Sequence, residues 1–216
     1  MNRHVESTEP RIRRTWSLSA ASCAFVASGL EILSFGLYLL QRARVIESPG
    51  STTFFSSGVT YIGIAIALIG IASQATALWG LGRRQRAVAP ISARVGQWAV
   101  AMYVVVSGLL FGLMTVGIFS GWPAGAVGNR LFQVPLIPLT VAFGCLGWAS
   151  RGDFGPRQRL ASGGLLVVTM FGVFSVIWSL LGLPSGQRWL LLASLHTALR
   201  AATWAAVGAC LNEVRA

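Results

Sequence analysis

The chain has 216 residues, of which 54% are hydrophobic and 11% are charged, and its 17 basic residues, all arginine, stand against 6 acidic ones. An average soluble domain carries about 25% charged residues, so this composition excludes a soluble globular domain, a disordered chain and a disulfide-stapled secreted module. The net charge of +11 is spread over short segments, so we expect no nucleic-acid partner. The composition predicts a polytopic membrane protein.

Apolar stretches, taken in chain order, predict an all-α bundle of six transmembrane helices. Each stretch is long enough to cross a bilayer, which needs about 20 apolar residues. Four stretches contain no charged residue, whereas the first contains Glu31 and the last contains Arg200. The predicted helices cover residues 16–41, 58–82, 95–119, 131–149, 160–182 and 189–211. The polar residues 1–15 predict a disordered cytoplasmic tail, and residues 212–216 form a second short tail.

The distribution of arginine predicts the orientation of the bundle. Twelve arginines lie in the two tails and in the loops after the second and fourth helices, while the other loops contain four. The side of a membrane protein that is rich in arginine normally faces the cytoplasm. We therefore predict a multi-pass protein of the plasma membrane with both termini in the cytoplasm. The same surplus predicts contact with anionic lipid at the cytoplasmic face of the bilayer.

Small residues and prolines give two further expectations about packing. Small residues such as Gly108 and Gly112 recur on one helix face, which allows helices to approach closely and would also suit a protein partner or a second copy of the chain. Pro135 and Pro138 fall in the outer turns of the fourth helix, where proline removes a backbone donor. This pattern predicts either a broken outer segment near Gln133 or a helix that begins late, with proline in its first turn.

Two charged residues are predicted near the bilayer centre, where each costs about 2.5–3.5 kcal/mol. Glu31 and Arg200 lie at similar depth and have opposite charge, so we expect them to pair across the first and last helices. His196 is four residues before Arg200 and shares its helix face. Gln74 adds a polar group on the second helix. The cluster is compatible with a structural clasp, a gate or proton-coupling site, or an anion-binding spot on a transport path.

The residues that the chain lacks exclude several kinds of chemistry. It has one aspartate and two histidines, of which His4 lies in the tail, so a bis-histidine haem, an HExxH metalloprotease site and an aspartyl dyad are excluded. It has no phosphate loop and no dinucleotide fingerprint. Cys23, Cys145 and Cys210 have no CxxC spacing and are interpreted as small packing residues. We expect no metal site and no cofactor.

Three function classes remain, and the first is a small-solute transporter or permease-type subunit built around Glu31, His196 and Arg200. A non-catalytic membrane subunit or scaffold that assembles with a partner is the alternative. A third class is an intramembrane enzyme acting on a lipid or isoprenoid, with Glu31 as general acid. A transporter should have a water-accessible cavity lined by the polar cluster. A subunit should have an uncovered face of small residues, and an enzyme an apolar groove open to lipid beside Glu31.

Overall fold

The computed structural model describes residues 9–47, 58–119, 134–152, 155–180 and 187–213. Within these ranges the chain forms six helices and no strand. The helices are α1 (Glu9–Glu47), α2 (Gly58–Gln85), α3 (Pro90–Phe119), α4 (Leu136–Ala149), α5 (Pro156–Leu180) and α6 (Gln187–Asn212). The all-α class predicted from the apolar stretches is thereby confirmed for the described part of the chain.

Four of these helices contain a stretch that is long and apolar enough to cross a membrane. The stretches are Ser19–Leu37, Ile62–Gln85, Pro90–Leu113 and Pro156–Trp178. α4 is apolar but has 14 residues, which rise only about 21 Å against a hydrocarbon core of about 30 Å. α6 carries His196 and Arg200 within its length. Helices of this kind are typical of a membrane-embedded protein, and the count of six spans stays a prediction.

The start of α1 corrects the predicted tail. α1 begins at Glu9, so residues 9–15 are helical and do not form a disordered segment. Pro10 falls in the first turn of the helix, where the absence of a backbone N–H leaves no hydrogen bond unmade. Hydropathy marks where a helix enters the bilayer, whereas backbone hydrogen bonding continues until a cap or proline stops it. Residues 1–8 and 214–216 of the predicted tails lie outside the described residues.

Prolines also mark the starts of later helices. Two helices begin at a proline, several residues before the predicted start: Pro90 and Pro156. α4 begins directly after Pro135, which has φ −64° and ψ −23°, and Pro138 lies in its first turn. Both prolines therefore stand at the beginning of a late-starting helix and do not interrupt it. Gln133, where a vestibule was one of the two expectations, lies outside the described residues.

The six helices form a ring in chain order, in which each helix packs against the next and α6 returns to α1. α2 also contacts α4 and α6 and so lies nearest the centre. Among the described residues the buried core lies in the half of the bundle that holds residues 86–89, between α2 and α3, and residues 150–152, at the end of α4. Trp204 is its largest fully buried side chain, and its ring meets Phe143 edge to face at 5.4 Å between centroids. The candidate site lies at the outer edge of this core.

Candidate functional site

Glu31 and Arg200 form an ion pair that joins α1 to α6. Nη2 of Arg200 contacts Oε1 of Glu31, and the two side chains are 15% and 13% exposed, respectively. One turn before Glu31, the hydroxyl of Ser28 donates a hydrogen bond of 2.8 Å to the carbonyl oxygen of Ala201. Because Ala201 directly follows Arg200, this second contact fixes the register of the two helices at the ion pair.

Gln74 and Tyr103 extend the ion pair to α2 and α3. Nε2 of Gln74 donates to Oε1 of Glu31 at 2.7 Å, and the hydroxyl of Tyr103 donates to Oε1 of Gln74 at 2.9 Å. An ionised carboxylate only accepts hydrogen bonds, so Gln74 must turn its NH₂ group towards Glu31 and its oxygen towards Tyr103. Tyr103 must then be a donor. The polar network of Arg200, Glu31, Gln74 and Tyr103 therefore has a fixed hydrogen-bond direction across four helices.

A cavity of about 170 Å³ that is open to the outside adjoins the polar network between α1 and α2. Its polar wall comes from Glu31, Ser34, Gln74 and Tyr103, and aliphatic or small side chains complete it. Arg200 is not among the lining residues, so the ion pair presents its carboxylate partner to this space. The volume corresponds to roughly six water molecules at about 30 Å³ each. The site therefore combines hydrogen-bonding groups with room for a small molecule.

His196 packs against α5 and takes no part in the hydrogen bonds of the polar network. Its ring stacks on Phe171 of α5 with 5.7 Å between centroids and 14° between planes. Its Nε2 and the Nε of Arg200 are buried and have no hydrogen-bond partner within the described ranges. Of the residues expected at the centre, the structure thus brings Glu31, Arg200 and Gln74 together and turns His196 towards α5.

Sequence reasoning missed Tyr103, although a signal was available. Tyrosine in membrane helices is enriched at the interfaces, whereas Tyr103 lies well inside α3 and is buried. A buried tyrosine normally finds a partner for its hydroxyl group. Ser34 was also missed, and serine on an apolar helix gives no comparable signal because it packs as readily as alanine.

The opposite end of the bundle carries arginines and exposed tryptophans. Arg84 donates from Nη1 to the carbonyl oxygen of Cys210 near the end of α6. The guanidinium of Arg151 lies 4.4 Å from the ring centroid of Trp148, a cation–π contact. Three tryptophans at this end are exposed: Trp79, Trp98 and Trp148. Exposed tryptophan beside arginine is typical of a membrane–water interface.

Metal and cysteine chemistry find no support among the described residues. No group of three or more histidine, cysteine, aspartate or glutamate side chains there could hold a metal ion. Cys23, Cys145 and Cys210 form no disulfide within the described ranges. Comparison of the chain with protein-family models, with curated proteins and with solved structures gives no match. The case for a function therefore depends on the geometry of the polar network and its cavity.

Proposed function

We propose that the chain is a multi-pass plasma-membrane protein that moves a small solute, either alone or as a permease-type subunit. The observation that carries the proposal is the cavity beside Glu31, Gln74 and Tyr103. A purely structural clasp gains nothing from open space next to its charges, because a buried ion pair is most stable when its groups are fully packed and hydrogen-bonded. A solute path needs such space, together with groups that replace the hydration of the solute.

The proposed orientation places both termini and the segments after α2 and α4 in the cytoplasm. The arginine surplus of these segments supports it. The exposed tryptophans at the same end of the bundle support an interface there. Anionic lipid is the proposed partner of Arg151, since its side chain is exposed beside Trp148. The cavity then lies near the bilayer centre and on the outer side of the buried core.

Cysteine labelling tests whether water reaches the cavity. In a protein whose three native cysteines are replaced by alanine, we expect Ala67→Cys to react with a charged, membrane-impermeant thiol reagent, because Ala67 lines the cavity and only a hydrated thiol ionises to the reactive thiolate. The matched control is Ile69→Cys. Ile69 is 53% exposed and lies on the opposite face of α2, so its thiol should face lipid and stay unreactive. No labelling of Ala67→Cys from either side of the membrane, in a folded protein, would contradict the proposal.

A second candidate function, a membrane subunit or scaffold, has its own supporting observation. Gly108 and Gly112 are exposed on α3, and a Cβ atom added at either position would meet no heavy atom within 4 Å. Two small residues spaced by four present a flat face on which another helix could pack closely. Nothing in the described part of the chain covers this face. The partner would be another protein or a second copy of the chain.

Enlarging Gly108 tests that face. We expect Gly108→Leu to abolish association with a partner or second copy and to leave the stability of the single chain unchanged, because the new side chain meets nothing within the chain. The measurement is the mass of the detergent-solubilised protein by light scattering, together with cross-linking in the membrane. Gly29→Leu on α1 is the control, because a Cβ atom added at Gly29 also meets no heavy atom within 4 Å but Gly29 lies outside the α3 face. A native protein that is monomeric in both measurements would remove the support for this candidate.

The larger apolar groove of the bundle does not support the enzyme alternative. An apolar groove of about 360 Å³ does lie on the bundle, but α3 and α4 line it, through residues that include Met102, Val106 and Ile137. Glu31 is not among its lining residues. Within the described ranges this groove therefore gives a lipid substrate no access to the glutamate that would act as general acid, and the space beside Glu31 is the smaller, partly polar cavity.

A further inference from the structure

We infer that the cavity between α1 and α2 takes a small, uncharged solute that donates hydrogen bonds, such as a three-carbon polyol. This inference rests on the proposed function and adds the chemical class of the solute. Three properties of the cavity lead to it: the charge balance of the polar network, the direction of its hydrogen bonds, and the size and apolar walls of the space.

The charge balance favours an uncharged solute. Glu31 and Arg200 already neutralise each other through Oε1 and Nη2. A cation in the cavity would add an uncompensated positive charge to this neutral pair, and an unpaired charge is expensive at membrane depth. An anion would meet the carboxylate first, because Glu31 lines the cavity and Arg200 does not. An uncharged molecule avoids both penalties.

The direction of the hydrogen bonds favours a solute that donates. Both contacts of Glu31 use Oε1, and Oε2 takes part in neither of them. The hydroxyl group of Tyr103 donates its only hydrogen bond to Gln74, so its oxygen can still accept hydrogen bonds. The carboxylate and phenol oxygens of these lining residues are therefore acceptors that need donors from the solute. Hydroxyl or amide N–H groups supply them, whereas ether or ketone oxygens do not.

The size and the apolar walls favour a short carbon chain that bears such groups. The cavity measures about 170 Å³, and Leu30, Ile66 and Ile71 line it beside the polar residues. The methylene groups of a small polyol would pack against these aliphatic side chains while its hydroxyl groups face Glu31 and Tyr103. Glycerol, with six non-hydrogen atoms, is a suitable probe for a space of roughly six water volumes.

Protection of Ala67→Cys from labelling tests the inference, in the protein without native cysteines. We expect glycerol to slow the labelling of Ala67→Cys in a concentration-dependent way and Tyr103→Phe to weaken that protection. The comparison compounds are 1,2-dimethoxyethane, which has as many non-hydrogen atoms but no donor, n-propylammonium and propionate. Arg157→Cys controls for effects of glycerol on the reagent. Arg157 is exposed at the N-terminal end of α5, so the labelling rate of a cysteine there should not change.

Each result bears on a different part of the inference. Equal protection by 1,2-dimethoxyethane would overturn the donor requirement, and protection by only one of the two ions would overturn the uncharged class. Labelling that none of the compounds slows would overturn the solute class altogether and leave the water-accessible cavity in place. Failure of Ala67→Cys to react without any added compound would instead remove the proposed function itself.

Discussion

Replacing Glu31 by leucine is expected to lower the free energy of unfolding by about 3–5 kcal/mol, the usual cost of leaving one member of a buried ion pair without its partner. The guanidinium of Arg200 would keep its charge at a position where its side chain is only 15% exposed. Gln74 would lose the acceptor of its 2.7 Å hydrogen bond at the same time. Arg200→Met should give a smaller loss, because the carboxylate that it leaves unpaired lines the cavity that we propose water enters. Reversible unfolding of the purified protein in detergent micelles measures both.

The double variant Glu31→Leu/Arg200→Met is the matched control. It removes both charges together, so we expect it to recover most of the stability lost in the single variants. Glu31→Gln should lose less than Glu31→Leu, since an amide oxygen still accepts hydrogen bonds from Arg200 and Gln74. Single variants as stable as the native protein would show that water reaches and solvates the pair. A double variant as unstable as either single one would mean that the hydrogen bonds of Gln74 and Tyr103 outweigh the charge pairing.

Depth and charge sign were readable from the sequence, because a charged residue near the centre of an apolar stretch stands out against its surroundings. They suggested that Glu31 and Arg200 could meet. Contact also requires α6 to lie next to α1, and the ring arrangement, which no residue pattern specifies, provides this. The unknown arrangement of the helices also explains why the contact of His196 was not predicted. Helical spacing puts it one turn from Arg200, but the neighbour it meets depends on the position of α5, where Phe171 stacks on it.

Tyr103 shows why the cavity was harder to predict than the ion pair. Its hydroxyl reaches Gln74 only because α3 is rotated so that Tyr103 faces α2. With apolar residues all around a helix, periodicity gives little information about which face meets a neighbour. The cavity depends on such rotations for α1, α2 and α3 together. A hydropathy pattern predicts that helices exist and how deep each residue lies, whereas the spaces between helices follow from packing.

The helix ends also show which features a hydropathy pattern predicts and which it does not. The apolar stretches located the helices but placed several helix ends at the nearest charged residue. In the structure α1 begins earlier, at Glu9, and α3 begins earlier, at Pro90. Arginine and glutamate are good helix formers, so a charged segment leaves the bilayer without leaving the helix. Proline was the better guide to the helix starts. It stands at the first position of α3 and of α5 and directly before α4.

Gly80→Leu is expected to lower the free energy of unfolding by about 1–3 kcal/mol or more, because it overpacks the contact between α1 and α2. A Cβ atom at Gly80 would lie 2.5 Å from the Cβ of Ala20. Ala20 is 1% exposed and has no longer side chain that could turn aside, so the two helices would have to separate. The same unfolding measurement in detergent detects the loss. Separation would also disturb the α1–α2 wall of the cavity.

Gly63→Leu is the matched control on the same helix. A Cβ atom there meets no heavy atom within 4 Å, so the added side chain costs no packing, and the loss of a glycine favours the helix. We expect Gly63→Leu to be neutral or mildly stabilising and Gly80→Leu to be destabilising. Equal stability of the two variants would mean that α1 and α2 do not approach as closely as the Gly80–Ala20 contact requires. The register that brings Glu31 against Gln74 would then have to be different, because both contacts depend on the same packing of α1 on α2.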